Sequence, residues 1–236
     1  MYGVTFEGIH SYRDWKLITK ARPIISPALP KTKYIDIPEA DGVLDLTESL
    51  TGNISYKTRT VTLEFTVIEA RKNWFTIYSK IQNFLQGKRI KIVLDEDPAY
   101  YYEGRFQVND WLSDKKTSTI VITGEVDPYK MEITSSVEDW LWDTFNFENG
   151  VIREYKDIVV DQYLSLDVIG SRKRTVPVIT ISDAMSMSFE GVSYFLNAGT
   201  HRLTSIVLKE GVNNFQFFHT VDNLATISIE FKGGSL

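Results

Sequence analysis

A run between Lys33 and Tyr56 constrains this chain most, because it alternates as strands do and yet carries few apolar side chains. Its centre reads Pro38-Glu39-Ala40-Asp41-Gly42, and both Pro and Asp-Gly are typical of a chain reversal. The flanking apolar side chains share one side of each segment: Ile35 and Ile37 before the turn, Leu44 and Leu46 after it. The run therefore predicts a hairpin arm. Because a two-stranded hairpin is marginally stable alone, we expect another surface to complete it, which favours a role in assembly over one in catalysis.

The rest of the first half predicts several strands and one helix. The clearest strand runs from Thr58 to Ile68, where apolar residues alternate. From Ala70 to Gln86, apolar side chains recur at spacings of three and four, which predicts a helix with a single apolar stripe. A stripe of this kind suits a cofactor or partner groove as well as a core; we expect the helix to cover a sheet, with Trp74 inside. Further strands are predicted at residues 90–94, 100–108 and 118–126.

The second half is β-rich, with short strands separated by Gly and Asn. A tight turn is expected over Glu210–Asn214. Turn signals about every 8–12 residues indicate a sandwich. We therefore predict a mainly β chain with two domains. Residues 1–130 form a β-sandwich-like domain with one α-helix and the extended arm, and residues 131–236 form a second β-sandwich. Strands of this second domain are predicted at residues 176–181, 191–197, 199–208, 215–218 and 225–231.

Composition narrows the classes of function. The chain holds no cysteine, which excludes disulfides, thiol catalysis and Cys-ligated zinc. No apolar run approaches the roughly 18–20 residues that span a bilayer, and residues 1–20 show no secretory signal, so we expect no membrane association. Residues 1–130 carry 18 basic and 17 acidic side chains, whereas residues 131–236 carry 8 and 14. The acidic second half argues against nucleic-acid binding there.

The sequence holds no motif that carries catalysis. It lacks phosphate-binding glycine loops and the G-x-S-x-G elbow. His10, His201 and His219 lie far apart, without the spacing of metal ligands. The acids Asp95-Glu96-Asp97 before a proline are expected to form a solvated turn rather than a calcium loop or a glycosidase pair. We therefore assign no catalytic, cofactor-binding or metal-binding residue and expect no enzyme.

An aromatic stretch between Asp139 and Phe147 has two interpretations. Trp140, Trp142 and Asp143 suit an outer platform on which a sugar ring stacks. The alternation of aromatic and polar residues suits a strand over the sandwich core equally well, and we favour the core.

Motifs spread along the chain, taken in order and with their spacing, resemble the distal tail protein (Dit) family of long-tailed phages that infect Gram-positive bacteria. In the first half these are Phe6-Glu7-Gly8-Ile9-His10-Ser11, Asp14-Trp15, Ile35-Asp36-Ile37-Pro38, residues 41–47, Tyr56, Arg59, the helix at 74–87, residues 95–98, residues 101–105, and Asp127-Pro128-Tyr129. In the second half they are residues 203–208, Gly211-Val212-Asn213, Phe215, Phe217 and residues 226–231. The resemblance covers nearly the whole chain.

The resemblance implies a structural protein of the virion, assembled in the cytoplasm of the bacterial host. Its first domains would form a hexameric hub ring between the tail tube protein and the tail-associated tip protein, with a lumen through which DNA passes. A back-to-back dodecamer is left open for the isolated protein. Its second, galectin-like domain would project outward as a docking platform for a receptor-binding protein. No cofactor and no membrane partner are implied.

Combined with the arm, the resemblance yields a hypothesis for the ring interface: Ile35, Ile37, Leu44, Leu46, Tyr56 and Arg59. Two alternatives stay open. One is a carbohydrate-binding, lectin-like module, and the other is the equivalent hub of a contractile or prophage-derived tail-like particle.

Overall fold

The computed structural model describes residues 3–49, 51–139, 152–221 and 223–236. The chain divides into two compact units, Met1–Lys130 together with Leu236, and Met131–Ser235, called here the first and second unit. Both are built mainly of antiparallel strands, so the mainly β prediction is confirmed. Among the described residues, no helix has the length and apolar character that crossing a membrane requires.

The first unit is built on an antiparallel sheet with two helices. Its elements are β1 (Val4–Phe6), β2 (Ile9–His10), α1 (Ser11–Trp15), β3 (Leu17–Thr19), β4 (Ile24–Ile25), β5 (Tyr34–Asp36), β6 (Val43–Asp45), β7 (Arg59–Val67), α2 (Trp74–Leu85), β8 (Arg89–Leu94), β9 (Tyr100–Ser113) and β10 (Ser118–Val126). The strands are ordered β2-β1-β8-β9-β10-β7-β3, and β4 also pairs with β7. The hairpin of β5 and β6 forms a separate two-stranded sheet.

Strand β7 shows how the sheet makes its core. Its alternate residues Val61, Leu63, Phe65 and Val67 are buried, while the polar residues between them are partly exposed. This alternation is the one that predicted the strand, and only its ends differ, by one residue each. The buried face packs with side chains of α1 and α2, so the predicted sheet covered by a helix is confirmed.

The helix α2 follows a 3-10 turn at Arg71–Asn73. Trp74, Ile81 and Leu85 are buried against the sheet, as the stripe predicts. The short helix α1 was not predicted. His10 begins it, because its Nδ1 accepts hydrogen bonds from the backbone N–H groups of Tyr12 and Arg13 at 3.1 and 3.3 Å.

The second unit is a two-sheet β-sandwich. Its strands are β11 (Lys130–Glu132, of which Lys130 belongs to the first unit), β12 (Ile158–Val160), β13 (Tyr163–Gly170), β14 (Val178–Ile181), β15 (Met185–Phe189), β16 (Val192–Leu196), β17 (Gly199–His201), β18 (Gly211–Phe218), β19 (Ala225–Glu230) and β20 (Gly234–Ser235). One sheet is ordered β12-β19-β14-β17, the other β13-β18-β15-β16, and β11 pairs with β20. Inward side chains of both sheets, including Met187, Phe215, Phe217 and Ile227, form one buried cluster.

Two local predictions in this unit are wrong. The stretch Gly211–Asn214 is not a tight turn but the start of β18, paired with β13 as far as Gly170. The side chain of Asn213 makes this possible because it is buried and satisfies backbone groups around it. The predicted strand 199–208 is also interrupted: β17 ends at His201, and Leu208 returns only as an isolated bridge to Thr175.

Candidate assembly surface

The arm begins as a ladder of backbone hydrogen bonds that carries the chain away from the sheet. At its base, Ile24 and Ile25 of β4 pair with Thr62 and Val61 of β7. The ladder continues through Ser26 N to Thr60 O (2.9 Å), Lys57 N to Leu29 O (2.8 Å), the bridge Pro30↔Tyr56, and Lys31 N to Ser55 O (2.8 Å). These bonds satisfy backbone groups that water alone would otherwise solvate, so the arm leaves the body as a paired ribbon.

The outer part of the arm is the predicted hairpin. In its register Ile35 lies opposite Leu44, with Tyr34 opposite Asp45 and Asp36 opposite Val43. Directly paired residues point to the same face, so Ile35 and Leu44 share one face. Leu46 N donates to Lys33 O at 2.8 Å, which extends the same ladder by another step.

The reversal between the two strands is made by residues 37–42. The N–H of Ala40 donates to the carbonyl of Ile37, and both Glu39 and Gly42 have positive φ, at 64° and 78°. After β6, the N–H of Thr47 donates to Asp45 Oδ1 at 2.8 Å. Hydrogen bonds from the side chain and backbone of Thr47 lower the pKa of the Asp45 carboxyl, so this group keeps its charge in mild acid.

The apolar side chains of the arm are uncovered. Ile35, Ile37 and Leu44 are 41%, 47% and 46% exposed, and Leu46 is half-buried. Sequence reasoning missed the other face, where Tyr34 and Val43 are also exposed. Tyr34 and Val43 each stand one residue before Ile35 and Leu44, so the same alternation predicts that they point to the opposite face. The second face of the arm is therefore mixed, because Asp36 and Asp45 share it with Tyr34 and Val43.

The two remaining residues of the predicted interface lie at the base of the arm. Arg59 is buried: its Nε donates to Ser26 O at 2.7 Å, its Nη1 to Pro128 O at 3.4 Å, and its guanidinium lies over the ring of Tyr102. Tyr56 is half-buried and meets Tyr129 edge-on at 5.8 Å. The structure thus places Arg59 where it holds the base of the arm, away from the uncovered faces.

The acidic turn after β8 is held by basic partners. Asp95 Oδ2 lies 3.1 Å from His10 Nε2, Glu96 lies 3.5 Å from Arg22, and Asp97 lies 2.6 Å from Lys130. Each carboxylate therefore has a different partner, which is typical of a structural turn. Of the three histidines, His201 lies against the carbonyl of Asn197 and His219 beside Asp183. Across the described ranges, no group of three or more His, Asp or Glu is placed to hold a metal ion.

The possible outer contact, Trp140, Trp142 and Asp143, lies outside the described residues. Both its interpretations, as a platform for a sugar or as part of the core, stay predictions.

Comparison with known proteins gives a likeness to solved structures. No family model and no curated protein matches the chain. Eight chains of solved structures match it. One is the crystal structure of the Dit protein (gp 19.1) of SPP1, described as a paradigm of the hub adsorption apparatus in phages that infect Gram-positive bacteria. The TM-score is 0.63, over 98% of this chain and 99% of that chain, at 14% sequence identity. This likeness shows that the chain has the fold that the resemblance predicted.

Proposed function

We propose that this chain is a structural protein of a phage tail, a distal tail protein that forms the hub between the tail tube and the tip. The observation that carries the proposal is the match to the SPP1 Dit structure over almost the whole length of both chains. A fold by itself does not determine function, so a surface that suits the role is needed as well. The uncovered arm supplies it.

The arm suits a ring because its two faces are incomplete in one copy. Covering the exposed part of a side chain such as Ile35 contributes roughly 1 kcal/mol at about 25 cal/mol per Å². The set Ile35, Ile37, Leu44 and Leu46 therefore contributes a few kcal/mol. Association costs an estimated 4–15 kcal/mol or so in lost rigid-body freedom, so the arm needs contacts beyond these four to hold a ring together. Tyr56 and Arg59 support it by fixing its base.

In this proposal the first unit, residues 1–130, forms a ring of six copies around an opening for DNA. The nearly balanced charge of these residues suits such an opening, because a strongly basic wall would retain passing phosphates. The second unit, residues 131–236, is the outward docking platform for the receptor-binding protein. The tail tube protein and the tail-associated tip protein are the partners on the two sides of the ring. The site of action is the tail tip of the virion, after assembly in the host cytoplasm.

The proposal is tested by the mass of the particle that the chain forms. Light scattering after size exclusion should give a mass of six copies of the 27.1 kDa chain, or twelve for paired rings, and negative-stain images should show a central opening. Replacing Ile37 by Asp places a charge on the apolar face and should reduce the mass to one copy. The matched control is Val192→Asp, an exposed β-branched residue of the second unit, which should leave the mass unchanged. A wild-type chain that stays monomeric at every concentration contradicts the proposal.

A further inference from the structure

The first unit carries a second uncovered apolar surface, far from the arm. Phe75 is 74% exposed although its neighbour Trp74 is buried. Trp111, near the end of β9, meets Phe75 edge-on at 4.8 Å and stacks on Tyr78 at 4.5 Å. Its Nε1 donates to Ser118 Oγ at 2.6 Å, which fixes the ring in place. We call Phe75, Tyr78 and Trp111 the aromatic patch. Its rings are held by one another before any partner arrives, which limits the entropy lost on binding.

Four basic side chains lie in the segments that adjoin this patch. Arg71 and Lys72 are exposed just before α2, and Lys115 and Lys116 are exposed in the turn between β9 and β10. The pKa of Asp114 is lowered mainly by the N–H groups of Thr117 and Lys116, and the charge of Arg71 adds to this effect, so Arg71 lies near that turn. Within the part of the chain that the structure describes, these four cations form no ion pair with a carboxylate. The exposed carboxylates of Asp110 and Asp114 lie beside these cations, so the border of the patch is mixed, with four cations against two acids.

The arm has the complementary character. Between residues 34 and 49 the chain carries no basic side chain and five acids: Asp36, Glu39, Asp41, Asp45 and Glu48. Glu39 and Asp41 lie at its tip, beside the uncovered Ile37. The arm and the patch both have uncovered apolar side chains, and the acids of the arm are opposite in sign to the cations beside the patch. The two surfaces are therefore complementary.

The arm and the patch lie at opposite ends of the same strands. The arm leaves the sheet where β7 begins, and there Arg59 pairs with Val126 at the end of β10. The patch lies where β9 ends and β10 begins, and there Trp111 pairs with Ile120. The six residue steps of β10 between these points span about 20 Å. Two complementary surfaces at opposite ends of one unit can meet only between copies, in a head-to-tail contact. Such a contact closes a ring when the rotation that relates neighbouring copies divides a full turn.

We propose that the arm of one copy docks on the aromatic patch of the next copy. This inference rests on the ring of the proposed function and names the surface that receives the arm. The apolar side chains at the arm tip cover Phe75, and Glu39 and Asp41 pair with Lys115 and Lys116. Exposed aromatic residues that become covered at the centre of an interface carry a large share of binding energy, which supplies the contacts that the arm lacks.

A charge-reversal series tests the docking. The patch variant carries Lys115→Glu and Lys116→Glu, and the arm variant carries Glu39→Lys and Asp41→Lys. Each alone should raise the protein concentration for half-assembly at least tenfold, as measured by mass photometry at low salt. The chain with all four changes should return to within about threefold of the wild-type value, because each new pair is again of opposite sign. Phe75→Ser, which leaves charge unchanged, should weaken assembly as the single reversals do.

The control reverses two exposed cations of the second unit, Lys156→Glu and Arg202→Glu, and should assemble as the wild type does. If the wild type, the patch variant and the Phe75 variant all form the same rings, the docking is overturned and the proposed function still stands. Failure of the fourfold variant to recover likewise overturns it. Binding of a labelled single-stranded oligonucleotide that is lost with the patch, while rings persist, assigns the patch to nucleic acid instead. A wild-type chain that never assembles ends both proposals.

Discussion

Ile35 lies directly opposite Leu44 across the two strands of the arm, and both side chains are more than 40% exposed. In a sheet that belongs to a core, such a pair is covered by a second layer. Here the pair has no such layer within the described residues of its own chain. The two strands of the arm are joined by a regular ladder while their side chains lack a packing partner, so the arm is an ordered element with an uncovered surface.

The arm should loosen without disturbing the body when its turn is strained. Gly42 has a φ of +78° and open space where a β-carbon would lie, so Gly42→Ala costs about 1 kcal/mol from backbone strain alone. Hydrogen exchange of the Leu46 amide, which is bonded to Lys33, should become faster, while the Lys20 amide, bonded to Glu64, should not change. Gly8→Ala is the matched control, since Gly8 also has a positive φ and open space but lies outside the arm. Equal Leu46 exchange in both variants would contradict the local character of the arm.

Two adjacent residues of α2 should differ sharply in their effect on stability. Trp74 is buried and its Nε1 donates to Glu69 O at 2.8 Å, so Trp74→Ala should lower the free energy of unfolding by about 3–5 kcal/mol. Phe75→Ala should lower it by less than about 1 kcal/mol, because that ring is mostly in solvent. Urea unfolding measures both, in an Ile37→Asp background that keeps assembly from contributing. A similar loss in both variants would show that Phe75 belongs to the core.

A second adjacent pair gives the same kind of test in the second unit. The amide of Asn213 donates to the carbonyls of Val168 and Lys209, and its oxygen accepts from the Lys209 N–H at 2.9 Å. Asn213→Ala leaves these backbone groups without partners in a buried place and should cost about 2–3 kcal/mol. Asn214 is exposed, and Asn214→Ala should cost about 0.5 kcal/mol. Thermal unfolding of the two variants decides whether Asn213 holds the start of β18.

Acid should weaken the second unit through Asp183. Hydrogen bonds from Asn223 first, and from the Ala184 N–H, hold the pKa of Asp183 below its ordinary value of 3.8, and the charge of His219 adds to this. A folded-state pKa below the unfolded one stabilises the fold above the unfolded value, and this contribution is lost as pH falls through the folded value. Asp183→Asn should therefore flatten the loss of stability as pH falls below about 4, and Asn223→Ala should flatten it in part. Urea midpoints across this range measure the effect, and parallel curves for variant and wild type would contradict it.

The arm and the helix could be predicted because their signals are local. Alternation around Asp41-Gly42 and spacings of three and four after Ala70 depend only on neighbouring residues. The interpretation of Gly211–Asn214 was wrong for the opposite reason. Gly and Asn favour turns, but the ladder with β13, some 45 residues away, imposes an extended backbone.

Long-range packing also explains why the aromatic patch was missed. Tyr78 lies four residues after Trp74, so the spacing places it on the predicted apolar stripe of the helix. Its stacking on Trp111 depends on how far β9 runs past its bulge opposite Val121 and Ile122. No local sequence pattern predicts how far β9 extends beyond the bulge. Tyr56 and Arg59 were grouped with the predicted interface by their nearness in sequence; Arg59 is buried in the single chain, and its part in an interface stays a prediction.

Because every strand of the arm is paired inside its own chain, joining a neighbour requires no strand to be surrendered or exchanged. In the proposed ring, assembly should then proceed by collision of folded subunits, with a rate set by concentration and ionic strength and without the slow partial unfolding that domain swapping demands. Such a chain can accumulate as folded monomers, and the proposed ring can still close quickly once the protein concentration is high enough.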